Sequence, residues 1–470
     1  MWNRRDVHHS LLCLLAATAM TAAAEPQTRL NHLPLGRSRV DILVHDVPPP
    51  AGLPGRRWVL INVHDDENTA VEAALDVLRE TGGRLIELRH TGRRTITFRT
   101  DSGDHTVDPN RIFTPVGRRA TLENLSSWSP QADDAVARFA DAVLEACDLE
   151  GAEAVVAVHN NSPGRYDVTW YAAEGSMADD AEDVRIVTGS DPDDFLFTTS
   201  RPLFDALARR NRNVALQDNR RATDDGSLSV ACGRRGILYV NVEAEHGHRE
   251  KQAELIRDVA AALDELAAVA ANPPPEVDLV DLVEFAPGLV IDARYATADN
   301  PTGQRLYPVN KIFLERSAAE RLARVQRRLT DSGLGLKVFD GYRPLAVQRE
   351  LWRAMPDPRY VADPVHGSRH NRGSAVDVTL VDADGRELAM PTAFDEFDER
   401  AHLDYQDLPP EAIRNRETLQ QAMRAEGFLP LATEWWHFDA PDWQRFPLMD
   451  RNPYDGPLFP DRVPESNPDR

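Results

Sequence analysis

Two short stretches in the last third of the chain hold the residue types from which a hydrolytic metal centre is made. Ser368-Arg-His370-Asn-Arg-Gly373-Ser-Ala-Val-Asp377 offers a histidine and an aspartate; Glu434-Trp-Trp-His437 offers a second histidine and a further carboxylate. A catalytic zinc takes three protein ligands of the N or O type and keeps a fourth position open. His370, Asp377 and His437 make such a set. Their single negative charge leaves a dication with net positive charge, as a Lewis acid requires. Glu434 then remains to accept a proton from water. Singly, each has an ordinary reading: a hydrogen-bonded histidine, a strand-end cap, a carboxylate beside tryptophans. Two such clusters in one stretch of chain point to a metal.

The surrounding residues must bring these groups together. Ser374-Ala-Val-Asp-Val-Thr-Leu380 reads as a buried strand, and a carboxylate buried at Asp377 is costly unless paired or metal-bound. Gly373 marks the tight turn that folds His370 back toward Asp377. Glu434 and His437 are three apart, so a flat strand would aim them at opposite faces. A twist, bulge or short turn is therefore expected there.

The order of motifs from about Val277 to Trp443 resembles the D-alanyl-D-alanine dipeptidase family of zinc peptidases. The motifs are Ile291-Asp-Ala-Arg-Tyr-Ala-Thr-Ala-Asp-Asn-Pro-Thr-Gly303, Val338-Phe-Asp-Gly-Tyr-Arg-Pro344, the His370/Asp377 motif, Met390-Pro-Thr-Ala-Phe-Asp-Glu-Phe397 and Glu434-Trp-Trp-His437. The resemblance implies an α+β domain with zinc on His370, Asp377 and His437, and Glu434 as general base. It implies Arg343 as the group stabilising the oxyanion, a role that suits an always-charged guanidinium. Asp395 would hold the substrate's amino group, with Ser368 and Tyr295 lining the pocket. Pro391 stands where the family pattern has glycine, which bears on the loop carrying Asp395. The same fold supports D,D- and L,D-carboxypeptidases, and a carboxylate gripping a free amino terminus favours dipeptides.

The N-terminal half alternates strand and helix patterns. Trp58 to His64, Leu85 to Leu88, Ala154 to His159 and Ile237 to Glu243 read as strands; Thr69 to Glu80 and Arg249 to Ala270 read as helices. This predicts an α/β sandwich with a mostly parallel sheet, whose sites lie at strand carboxyl ends. His64, His159 and Glu243 fall at such ends. With His64-Asp-Asp-Glu67, Asp108-Pro-Asn110-Arg111 and His159-Asn-Asn-Ser, the constellation resembles the zinc carboxypeptidase superfamily, nearest its succinylglutamate desuccinylase and aspartoacylase branch. That implies a carboxypeptidase-like three-layer sandwich with a second zinc on His64, Glu67 and His159. Asn110 and Arg111 would hold a substrate carboxylate, and Glu243 would act as base, with Glu245 the alternative on the same strand face. Ala157 replaces the acidic residue usual two before the second histidine, so the outer partner of His159 is unaccounted for. A binding-only domain is the alternative to catalysis here.

Residues 1–24, basic then apolar then small, read as a secretory signal peptide, so the protein is expected in the periplasm or secreted. Residues 25–271 form the α/β domain, 272–276 a proline linker through Asn272-Pro-Pro-Pro275, and 277–470 the dipeptidase-like domain. The region between Asp179 and Asp194 reads as a solvated loop near the first site, and the proline-rich tail after Trp443 as a wrap or a free end. Beyond the signal, no segment is apolar and long enough for a stable membrane anchor. A net charge of −22 argues against nucleic acid as partner and leaves a small peptide substrate such as D-Ala-D-Ala. After cleavage Cys147 and Cys232 remain, a pair that an oxidising compartment could join.

Overall fold

The computed structural model describes residues 25–149 and 151–462; the expected signal peptide lies outside them. The described chain falls into two compact units meeting at Ala268 and Val269.

The first unit contains strands β1 (Gln27–Leu35), β2 (Ser38–Val47), β3 (Trp58–Asn62), β4 (Gly83–Arg89), β5 (Ile96–Thr100), β6 (Gly103–Val107), β7 (Ala154–Asn161), β8 (Ala181–Arg185), β9 (Phe195–Thr198), β10 (Val214–Gln217) and β11 (Tyr239–Glu245). Its helices are α1 (Asn68–Thr81), α2 (Pro115–Leu125), α3 (Pro130–Ala146), α4 (Arg201–Arg209), α5 (Leu228–Arg235) and α6 (Arg249–Ala271). Nine of the strands form one sheet in the order β1-β2-β4-β3-β7-β11-β9-β10-β8, and β5 and β6 form a separate ribbon.

The sheet is mixed rather than mostly parallel. β4, β3, β7 and β11 run parallel in sequence, as do β9 and β10, whereas β1, β2, β8 and the β11–β9 pairing are antiparallel. The N-terminal hairpin extends one edge, and β8, drawn from the acidic stretch expected to be loop, closes the other. β3 shows why the middle is apolar throughout. Val59 and Ile61 pack with Leu122, Val136 and Phe139 from α2 and α3, while the alternate residues Trp58 and Leu60 are buried as well. A strand covered on both faces needs such a continuous run. α1 ends where Gly82 takes a φ of 72°, which a Cβ would disfavour. Cys147 and Cys232 are buried in one core cluster as free thiols, and burial pushes each up to about 12, which disfavours the thiolate.

The second unit contains β12 (Leu279–Asp281), β13 (Val290–Ile291), β14 (Phe313–Glu315), β15 (Gly335–Asp340), β16 (Ala375–Val381), β17 (Leu429–Leu431) and β18 (Glu434–Asp439). Its helices are α7 (Leu282–Phe285), α8 (Arg316–Thr330), α9 (Leu345–Ala354) and α10 (Pro410–Ala425). The main sheet has the order β13-β15-β16-β18-β17; β12 and β14 pair separately. β16 lies at its centre with every residue buried. Leu322 and Val325 of α8 and Leu419 and Met423 of α10 join Trp435, Trp436 and Phe438 in one core. The tail after Trp443 wraps this unit as far as the described residues go. Tyr454 enters the core, Met449 N–H donates to the Asn371 carbonyl, and Phe459 N–H to that of Leu306.

Candidate metal centres and their cavities

In the second unit, β16 and β18 set the centre by register, since Asp377 and His437 are cross-strand partners. His370 arrives from a single 3-10 turn, His370–Arg372, ended by Gly373 at φ 68°. That left-handed turn returns the chain into β16, and a Cβ on Gly373 would lie 2.8 Å from Leu279 Cδ2. His437 Nδ1 is 3.0 Å from Asp377 Oδ1 and 3.2 Å from His370 Nε2, and His370 Nε2 is 3.3 Å from Asp377 Oδ2. Ligands about 2.0–2.1 Å from one tetrahedral zinc stand roughly 3.3 Å apart, so this donor set fits such an ion. The outward nitrogens are held: His370 Nδ1 lies 2.7 Å from the Gly341 carbonyl and His437 Nε2 3.0 Å from Asp439 Oδ1. These contacts choose the tautomers that leave the inner nitrogens free to ligate.

The expected irregularity before His437 is a displacement between β17 and β18. Leu431 pairs with Glu434 but Pro430 with Phe438. The kink puts Glu434 Oε2 4.0 Å from His437 Nδ1. Glu434 is buried, and burial raises its carboxyl to about 7 against the pull of His437. Arg343 is buried too. Its Nε donates to Asp340 at 2.9 Å, Nη1 to Gln348 at 2.9 Å and Nη2 to the Tyr295 hydroxyl at 3.3 Å, with Nη2 4.0 Å from Asp377. Asp340 is clamped in turn by the Tyr307 hydroxyl. Asp395 accepts from the Tyr295 hydroxyl at 3.1 Å, and burial and then the Asp377 charge hold its carboxyl well above the usual range. Its φ of 59° is strained for a residue with a Cβ, and such strain gathers at functional sites. Ser368, Tyr295, Arg343, Asp395, Glu434 and the three ligand candidates all line one cavity of about 420 Å³.

In the first unit the centre lies across three adjacent strands. His64 and Glu67 are in the loop after β3, His159 is on β7, and Glu243 on β11 is the register partner of His159. Glu67 is the N-cap of α1 but makes no capping bond. Its two oxygens instead meet His64 Nδ1 and His159 Nδ1, each at 2.8 Å. Despite its burial, His64 is raised to about 9 by the Glu67 charge and by bonds to Asp108 and Glu67; the two histidines hold the Glu67 carboxyl well below the usual range. His64, Glu67 and His159 have ligand atoms close enough for one ion. Asp108 holds His64 Nε2 at 2.9 Å, but the buried Nε2 of His159 has no hydrogen-bond partner. Ala157, two residues earlier, faces the apolar core.

Glu243 lines the adjoining cavity of about 600 Å³ with Asn110, Arg111, His159 and Glu67, and burial raises its carboxyl. Glu245 instead lies with Asp191 and Asp193 in a separate, partly exposed acidic group, so geometry favours Glu243 over it. Arg111 is already engaged, its Nη1 3.1 Å from Asp225.

Four neighbours escaped the sequence reading. Asp108 stands two before Asn110 in a motif already in view, and Asp439 two after His437, where strand alternation returns it to the same face. Asp340 is the third residue before Arg343. Arg94, 3.0 Å from Glu67 Oε1, comes from the loop between β4 and β5 and carried no local signal.

Two buried triads of histidine and carboxylate, each beside a further buried carboxylate in a cavity, are arrangements that could hold a metal ion in each unit. Residues 275–456 match the family model described as D-ala-D-ala dipeptidase. The D-alanyl-D-alanine dipeptidase of Escherichia coli is 43% identical over 172 residues, which is 37% of this chain and 89% of that protein. Those of Enterococcus faecium and Streptomyces coelicolor are 34% and 36% identical over 184 and 185 residues, 35% and 34% of this chain and 91% and 90% of theirs. Through its C-terminal part the chain belongs to the D-alanyl-D-alanine dipeptidase family of metallopeptidases. Among solved structures, similarity is found to murein-tripeptide amidase from Escherichia coli O157 (14% identity, TM-score 0.29, 52% of this chain and 95% of that one). It is also found to a succinylglutamate desuccinylase/aspartoacylase from Rhodobacter sphaeroides (16%, 0.26, 53% and 69%).

Proposed function

We propose that the protein is an exported zinc metallopeptidase whose C-terminal domain hydrolyses D-Ala-D-Ala in peptidoglycan turnover, acting in the periplasm or after secretion. One observation carries this reading: His370, Asp377 and His437 converge to 3.0–3.3 Å in the same cavity as Glu434 and Arg343. Zinc held by that triad would supply Lewis acidity and lower the pKa of water at the site. Glu434, whose side chain makes no hydrogen bond among the described residues, takes the proton from the attacking water and returns it to the leaving amine. Arg343, fixed by Asp340 and Gln348, faces the charge that builds on the carbonyl oxygen. Asp395 receives the substrate ammonium, which offsets the charge that burial makes costly. A carboxylate at that end favours a free dipeptide over longer stem peptides.

The first domain is read as a second zinc site on His64, Glu67 and His159, with Glu243 as base and Asn110 and Arg111 facing a carboxylate. A binding-only role has two observations on its side, the unpartnered His159 Nε2 and the Arg111–Asp225 pair. The test is incubation of purified protein with D-Ala-D-Ala, L-Ala-L-Ala and a stem pentapeptide, with released amino acids measured before and after chelation and zinc readdition. Release from D-Ala-D-Ala that chelation abolishes and zinc restores is expected. No release from it refutes the reading.

A further inference from the structure

The cavity of the second domain is electrically two-ended. Asp395, Tyr295, Arg343 and Asp377 form one run of contacts up to the metal ligands. On the other side of His437, Asp439 receives Nε2 on one oxygen at 3.0 Å and stands 3.4 Å from Arg369 Nε with the other. Arg369 and Arg372 both lie over the Trp443 ring, their guanidinium carbons 4.9 and 5.5 Å from its centroid. Stacking on an aromatic face fixes a guanidinium plane and leaves its N–H edge for a planar anion. Arg372 donates to the Phe446 carbonyl and has no carboxylate within ion-pair distance among the described residues. Two guanidiniums and one carboxylate thus leave an uncompensated positive charge in the cavity wall. All three side chains on this face, Arg369, Arg372 and Trp443, line the same cavity as Asp395 and Glu434.

We propose that Arg369 and Arg372, stacked on Trp443, form an anion subsite that takes the free C-terminal carboxylate of the dipeptide. This rests on the dipeptidase reading and deepens it: the substrate is gauged at both ends, ammonium at Asp395 and carboxylate at the arginines. A dipeptide amidated at its C-terminus keeps the scissile bond and the ammonium but loses the anion, so it is discriminated against at the binding step.

The experiment is calorimetric titration of zinc-loaded, full-length Glu434→Gln protein with D-Ala-D-Ala and with its C-terminal amide. The acid is expected to bind about 10- to 100-fold more tightly, the scale of charge-assisted hydrogen bonds. Arg372→Gln and Arg369→Gln should each narrow that ratio, and in the active background raise KM for the acid far more than they lower kcat. Steady-state KM values of unaltered protein on acid and amide give the same ratio without any substitution. Equal affinity for the two peptides overturns the subsite even if D-Ala-D-Ala is hydrolysed. Selective binding of the acid without hydrolysis by the unaltered protein sinks the dipeptidase reading and leaves the subsite standing. Failure of both peptides to bind overturns both.

Discussion

Replacing Glu434 by glutamine separates chemistry from metal binding more cleanly than any other change. The side chain is buried, it is not one of the three converging donors, and among the described residues it makes no hydrogen bond, with His437 Nδ1 4.0 Å from Oε2. The amide has nearly the same shape and forfeits no hydrogen bond present in the structure. The cost to folding is then bounded by one buried amide without a partner, about 1–3 kcal/mol. Hydrolysis, by contrast, loses its proton acceptor. General-base contributions are typically ~10²–10⁴-fold. The upper part of that range is expected, because no other carboxylate of the cavity is free to substitute: Asp377 is held by both histidines and Asp395 by Tyr295. The assay is alanine release from D-Ala-D-Ala, run beside metal analysis and a thermal melt. Expected are unchanged zinc content, a small shift in melting and at least a hundredfold loss of kcat. Retention of most of the activity with zinc bound would refute the assignment. Loss of activity together with zinc would show that Glu434 acts as a ligand instead.

Three further outcomes follow from the geometry. Asp395→Asn keeps a residue that tolerates φ 59° and an acceptor for Tyr295, yet removes the charge; kcat/KM on free D-Ala-D-Ala should fall about 10- to 100-fold while the N-acetylated dipeptide is little affected. Equal loss on both would make Asp395 structural. Asp439→Asn weakens the outer partner of His437 and should lower zinc affinity about 10- to 100-fold in chelator competition; an unchanged affinity would remove Asp439 from the centre. A chain shortened to end at Asn272 should fold and bind about one zinc, lost in His64→Ala, whereas His64→Ala in the full chain should leave dipeptidase activity intact. A folded, metal-free first domain under zinc-replete conditions would make it a binding module.

Which residues take part was legible wherever chemistry is written locally. His370 with Asp377, Glu434 with His437, and His64 with Glu67 are separated by three to seven positions, and strand or turn geometry forces each pair together. A glutamate at a helix N-cap that makes no cap was likewise announced by its spacing from His64. Asp439 escaped only because its reason, an imidazole nitrogen facing away from the triad, exists once His437 has an orientation.

What the sequence alone determined, then, is which histidines and carboxylates make up the two buried triads and the family of the second, because residue type and short spacing are properties of the local chain. Tertiary structure decided the rest, through contacts between residues far apart in sequence. The register of β7 against β11 makes His159 and Glu243 neighbours, and that of β16 against β18 does the same for Asp377 and His437. The sheet became mixed because β9 runs antiparallel to β11 inside it and the hairpin β1–β2 and the strand β8 joined its edges, a choice of pairing partners that no local pattern encodes. Asp225 reached Arg111, and Arg369 and Arg372 reached Trp443, across 114, 74 and 71 positions of chain. Side-chain electrostatics act through space, so only the fold could place those charges where a substrate would meet them.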